Sequence, residues 1–285
     1  MLEFDHRMND RLRISAISYL NTAPLMWDFE HGTVGAQFDI SYTIPSRCAA
    51  ALEAGSADIG IIPAAAYASI PGLVILPDIA IAARRAVRSI LLVSRVALDQ
   101  VRTVALDTSS LTSVALTKVI FSRWLGGGRV FTPMPPQLDI MLAQHDAALV
   151  IGDPALQVNR NRFLTIDLAE EWIRFTGKPF VFAFWAVREA ALEQAGKSDL
   201  AAIFRQSRDH GLKPNSIQTI AASWGPRLGL TNADVKQYLT EHIEYHLDSE
   251  TIDGLHLFYR YASECGALPP APAVRFHEAP CSVSH

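Results

Sequence analysis

Cysteine is scarce in this 285-residue chain: Cys48, Cys265 and Cys281 are the only three, and none stands at metal-ligand spacing. So small and scattered a set excludes a disulfide framework and a thiolate zinc cluster, and predicts free thiols in a reducing compartment. Charge is also sparse, at 19% of residues, with a formal net charge of −4 and no basic cluster, which argues against a nucleic-acid surface. The first fifteen residues hold no continuous apolar core, so no secretion leader is expected and the expected location is the cytoplasm. One charge-free run, Ile59 to Pro77, is 19 residues long, but Gly60, Pro63, Ser69, Pro71 and Gly72 interrupt it. It predicts buried strands and turns, not a membrane span.

Familiar catalytic signatures are missing too. His242 and His246 flank Glu244, but the glutamate does not directly follow the first histidine as in HExxH, so the pair reads as a solvated helix face. Gly126–Gly128 does not open a helix after a strand and reads as a helix stop, not a nucleotide loop. No Gly-x-Ser-x-Gly elbow occurs, and no cysteine has a local activator. No metal and no cofactor are expected.

What is present is alternation. Strand-like segments at 12–17, 38–44 and 58–62 are each followed by a helix-like segment, which predicts βαβ units and largely parallel sheets in an α/β fold. A second series runs from Ser89–Val93 through Thr103–Leu106, the helix Ser113–Leu125, and the strands 129–131 and 148–151. After Phe180–Val187 the chain is expected to be mostly helical, including segments 190–209 and 232–246, before an irregular Pro-rich tail. One continuous doubly wound sheet would fit this order. So would two lobes, with Ser89–Val93 and Phe180–Val187 as the two crossings and a ligand cleft between. The two-lobed arrangement is preferred, with lobe 1 from residues 1–90 and 184–285 and lobe 2 from 91–183.

Four strand-to-helix junctions carry small polar residues or proline: 18–22, 62–65, 107–113 and 152–155. In open α/β sheets ligands sit at the carboxyl ends of strands, where such junctions lie. At the first, Asn21 or Thr22 is expected to cap a helix with Pro24 in its first turn. The third, Asp107 to Ser113, holds five hydroxyls, which with helix N–H groups suit a carboxylate or phosphate. Capping alone accounts equally well for it, and for Asp153 before Pro154.

Taken in order, ISYLNTAPL (17–25), ADIGIIP (57–63), RSILLVSR (88–95), VALDTSSLTSVAL (104–116), ALVIGDPAL (148–156) and TGKPFVFAFWAVR (176–188) resemble the chorismate dehydratase family of the futalosine route to menaquinone. The resemblance extends through the helical end, 238–259. It implies a two-lobed type II periplasmic-binding-protein-like fold that holds chorismate, a small dicarboxylate, and removes water without a redox cofactor. On that footing Asn21 and Asp153 are the catalytic candidates. Ser18, Thr22, Ser89, Ser110, Thr112 and Ser113 are the substrate-binding ones. The base is Asp153 or the substrate's own enolpyruvyl carboxylate. Leu111 stands where the family often has Arg, and Ala66, before Tyr67, where it often has Glu. The rival expectations are a non-catalytic carboxylate-binding protein or sensor, and the sister dihydroxynaphthoate synthase of the same route.

Overall fold

The computed structural model describes residues 11–196 and 198–277. Cys281 and the first ten residues of the segment read for a leader lie outside them. Cys48 is buried and Cys265 partly buried, both as free thiols. No helix among the described residues is long and apolar enough to cross a membrane.

The chain builds two five-stranded sheets. The first contains β1 (Leu12–Ile17), β2 (Phe38–Thr43), β3 (Ile59–Pro63), β4 (Leu73–Ala83) and β10 (Phe180–Arg188), in the order β2-β1-β3-β10-β4. The second contains β5 (Ile90–Ser94), β6 (Thr103–Asp107), β7 (Val130–Met134), β8 (Ala147–Ile151) and β9 (Leu164–Asp167), in the order β7-β6-β8-β5-β9. Helices α1 (Trp27–His31), α2 (Pro45–Glu53) and α3 (Ala64–Tyr67) belong to the first lobe. The second lobe carries α4 (Thr112–Trp124), α5 (Leu138–Gln144), α6 (Gly152–Leu156) and α7 (Leu168–Thr176). The chain then returns to the first lobe for α8 (Leu192–Ala195), α9 (Leu200–Gly211), α10 (Pro214–Leu228), α11 (Asn232–Gln237) and α12 (Ser249–Glu264).

The architecture is the expected two-lobed α/β one, with differences in strand direction, strand placement and helix length. First, each sheet is mixed. The β2-β1-β3 and β7-β6-β8 halves are parallel, whereas β10 pairs antiparallel with β3 and β4, and β5 with β8 and β9. The antiparallel partners are the strands that arrive from the other lobe and so enter the sheet from its opposite end. Second, neither expected crossing strand is one: Ile90–Val93 lies in β5, an interior strand of the second sheet, and Phe180–Val187 in β10, an interior strand of the first, and the chain changes sheets at residues 84–89 and again just before β10. Third, the helix expected over 190–209 is broken at Gly196, whose φ is +58°.

The helix expected over 232–246 also ends early. It passes at Tyr238–His242 into a π-helical turn and then into extended chain along β4, where Glu244 exchanges backbone hydrogen bonds with Ala82. His242 and His246 therefore do not share a helix face. The first meets the Ala86 carbonyl at 2.8 Å, the second the Asp78 carboxylate at 3.0 Å.

Eight of the nine β10 residues are buried, and the strand is covered by Trp172, Phe204 and Phe258. Burial of aromatic side chains on this scale, about 1.5–3 kcal/mol each, anchors the centre of the first lobe and sets the edge of the cleft.

Candidate functional site

All four strand-to-helix junctions converge between the lobes. They surround a cavity of about 50 Å³, walled by Tyr19 and Asn21 from the first junction, Pro63 from the second, Ser110, Thr112 and Ser113 from the third, and Gly152 from the fourth. Phe182, Ile81 and Ile90 close its apolar side, and no lysine or arginine lines it. Pockets for drug-sized ligands start at about 300 Å³, so the lobes here close on a space well below that size.

Several hydrogen bonds hold them shut. The Thr112 hydroxyl, at the start of α4, donates to the Phe182 carbonyl at 3.0 Å and accepts from the Ala65 N–H at 3.1 Å. Leu20 N–H donates to Asp153 at 2.9 Å, and Ser46 N–H to the Ser109 carbonyl at 3.0 Å. Gly152 is required by this closeness. Its φ is +64°, and a Cβ there would lie 2.6 Å from the Tyr19 ring, which packs directly on its backbone.

The capping expected at the first junction does not occur. A single 3₁₀ turn, Leu20–Thr22, follows β1, and α1 begins only at Trp27 with no side-chain cap. The Thr22 hydroxyl is buried and donates within the turn, to the carbonyls of Ile17 and Tyr19, both at 2.6 Å. It shapes the loop and is not presented to the cavity. Ser18 is exposed and faces an outer groove of about 310 Å³ on the first lobe, which shares Ile17 and Tyr19 with the inner cavity. Ser89 is buried behind the cavity wall, where its hydroxyl accepts from Tyr238 at 2.8 Å.

At the third junction Ser110 accepts the Ser113 N–H at 3.1 Å, completing the N-terminus of α4. Asp107 ties the preceding loop: it accepts the N–H and hydroxyl of Ser109 at 2.8 and 2.6 Å. Leu111 and Ala66 lie together on a separate groove between α2, α3 and α4, so both departures from the family pattern fall outside the cavity.

Asn21 is the polar group left over. Its backbone carbonyl accepts from Tyr245 at 3.0 Å, but its side-chain Oδ1 is buried without a hydrogen-bond partner. An unpaired buried acceptor costs about 1–3 kcal/mol, so this oxygen is open to a donor from the cavity, a water or a ligand group alike.

The electrostatics follow from burial. Desolvation raises the Asp153 carboxyl from 3.8 to about 6, against the opposing Leu20 hydrogen bond. The same cause pushes Asp107 and the Tyr19 phenol upward, Ser109 hydrogen bonds opposing in both. Asp153 does not cap α6; it reaches across the cleft mouth to Leu20 instead. No group of three or more His, Cys, Asp or Glu among the described residues could hold a metal ion. Residue patterns pointed to Asn21, Ser110, Thr112 and Ser113. They did not point to Tyr19, Phe182, Tyr238 or Tyr245. Tyr19 lay within the first motif, but the last two are brought in from the far end of the chain.

The model of the family described as menaquinone biosynthesis matches residues 12–264. The chain belongs to that family. The chorismate dehydratase of Thermus thermophilus is 29% identical over 272 residues, an alignment covering 89% of this chain and 94% of that protein. Among solved structures, a protein of Archaeoglobus fulgidus superposes with a TM-score of 0.74 at 15% identity, covering 91% of this chain and 99% of that one. The alkanesulfonate-binding protein SsuA of Xanthomonas axonopodis, solved with MOPS bound, gives 0.64 at 17% identity, with coverage of 94% and 99%. The two solved structures share the fold of this chain, a two-lobed α/β fold of the periplasmic-binding-protein kind.

Proposed function

We propose that this chain is a lyase that removes water from chorismate to give 3-[(1-carboxyvinyl)oxy]benzoate. The observation that carries the reading is the unpartnered Asn21 Oδ1, buried at a cavity where all four junctions meet. Chorismate offers a ring hydroxyl to that amide and two carboxylates to the hydroxyls and N–H groups at the start of α4. The similarity to the Thermus thermophilus chorismate dehydratase supports the same substrate.

The elimination breaks one C–H and one C–O bond, and the ring becomes aromatic. The hydrogen leaves as a proton, its electron pair joins the ring, and the departing oxygen takes a proton to leave as water. The substrate's own enolpyruvyl carboxylate is the base in this reading. Asp153 already accepts the Leu20 N–H and does not wall the cavity, which favours the substrate-assisted route. Asn21 orients the ring hydroxyl, and closure of the lobes excludes water while holding the carboxylate against the ring hydrogen. The closed cavity is smaller than the substrate, so binding begins with the lobes parted and the reaction proceeds once they shut around the ring.

Purified protein incubated with chorismate alone, followed by chromatography and mass, should yield a species lighter by one water. Asn21→Ala should reduce its formation by about 100-fold, in the range for loss of one preorganised polar contact, while the fold survives. No new species, with chorismate merely raising the unfolding temperature, would assign the cleft to carboxylate binding without catalysis.

A further inference from the structure

Two buried tyrosines from the C-terminal part of the chain bracket Asn21. Tyr245 donates to its backbone carbonyl at 3.0 Å. Tyr238 is 2% exposed and donates to Ser89 Oγ at 2.8 Å, and the Asn21 side chain lies against the same phenol. Ser89 sits at the end of the segment that crosses between the lobes, and its carbonyl accepts the Gly152 N–H at 2.8 Å. The phenol therefore stands between the crossing segment and the cavity wall.

A buried tyrosine ordinarily finds one hydrogen-bond partner, and Ser89 alone would satisfy that requirement. Two features make the arrangement more than a satisfied core hydroxyl. The Asn21 Oδ1 has no partner of its own, so nothing on that side of the amide sets its rotation. And Tyr238 opens a π-helical turn, Tyr238–His242, a rare geometry that places one extra residue in the helix where the chain meets this site.

We infer that Tyr238 is a positioning residue for the Asn21 amide: its hydroxyl, held by Ser89, fixes the side-chain orientation that presents the free Oδ1 to the cavity. The inference rests on the reading of Asn21 as the amide that meets substrate. Tyr238 contributes no proton and touches no reacting atom; it removes the rotational freedom that would otherwise blur the amide's aim.

A double-mutant cycle tests this. Tyr238→Phe keeps the ring and removes only the hydroxyl. It should lower kcat for chorismate about 10- to 30-fold with KM within about threefold of the parent value, and should add no further loss in an Asn21→Ala background. A kcat for Tyr238→Phe within twofold of the parent, or losses that multiply, would overturn the inference. The same four proteins are compared by urea unfolding, which needs no turnover. There the midpoint shifts of Tyr238→Phe and Asn21→Ala should be non-additive, and additive shifts would likewise overturn the contact. Failure of the parent protein to act on chorismate would overturn the proposed function, while the unfolding cycle would still decide whether Tyr238 holds Asn21.

Discussion

Asp153→Asn separates two roles of one side chain. The asparagine keeps an oxygen able to accept the Leu20 N–H across the cleft, so the interlobe hydrogen bond of 2.9 Å is retained while the charge is removed. In the folded protein burial raises the carboxyl from 3.8 to about 6. The folded state thus binds the proton more tightly than the unfolded chain. Below about pH 4 the group is protonated in both states and has no effect. Stability falls as pH rises through the window from about 4 to about 6, and above about pH 7 the full penalty of the buried charge is present. A rise of about 2 pH units at about 1.4 kcal/mol each corresponds to about 3 kcal/mol. Urea unfolding at pH values from 4 to 8 should show Asp153→Asn gaining on the parent protein with pH, by about 1–3 kcal/mol at pH 8. A difference between the two that stays constant across pH would refute the argument, because removing a buried charge cannot act independently of its titration. Turnover of the same variant addresses the base. A general base contributes about 10²- to 10⁴-fold, so activity within tenfold of the parent is expected if the substrate's carboxylate takes the proton. A loss of 10²-fold or more would assign that step to Asp153.

Two further substitutions probe closure. Thr112→Val leaves the Ala65 N–H and the Phe182 carbonyl without their interlobe partner. It should cost about 2 kcal/mol, seen as a fall of about 4–8 °C in Tm; an unchanged Tm would refute the role of that clamp. Gly152→Ala places a Cβ 2.6 Å from the Tyr19 ring on a backbone with φ of +64°. The Tyr19 contact then cannot form, so small-angle scattering should report a larger radius of gyration and kinetics a raised KM, whereas parent-like values of both would show that the two residues adjust to each other.

The strand and helix alternation revealed the two lobes because buried strands and their junctions are local signals. The convergence of the four junctions was legible for the same reason: each lies at the carboxyl end of a strand. Strand direction was not, because whether β10 runs with or against β3 depends on which lobe the chain has just left. Thr22 and Pro24 show a different failure. Their spacing suits a helix cap, yet the Thr22 hydroxyl finds two carbonyls inside a 3₁₀ turn, and local chemistry alone does not choose between these outcomes. Family resemblance singled out Ser89 without its surroundings, and the structure surrounds it with Tyr238. Tyr245 is 224 residues from Asn21 in sequence, beyond the reach of any motif. The expected helix over 232–246 hid both tyrosines, because its pairing with β4 is a tertiary contact.

The position of β10 also sets an order of assembly. Every strand of the second sheet lies within residues 90–167, so that sheet can form without β10 as the chain emerges from the ribosome. The first sheet cannot be completed then. Its strands β3 and β4 share no hydrogen bonds with each other and await β10, which is made only after the whole second lobe. In that interval the apolar segments IGIIP and LVILPDIAIAA present unpaired edges, the usual template for pairing with another chain. A nascent chain stalled before Phe180 is accordingly half folded and half adhesive, and the lobe translated first is the one finished last.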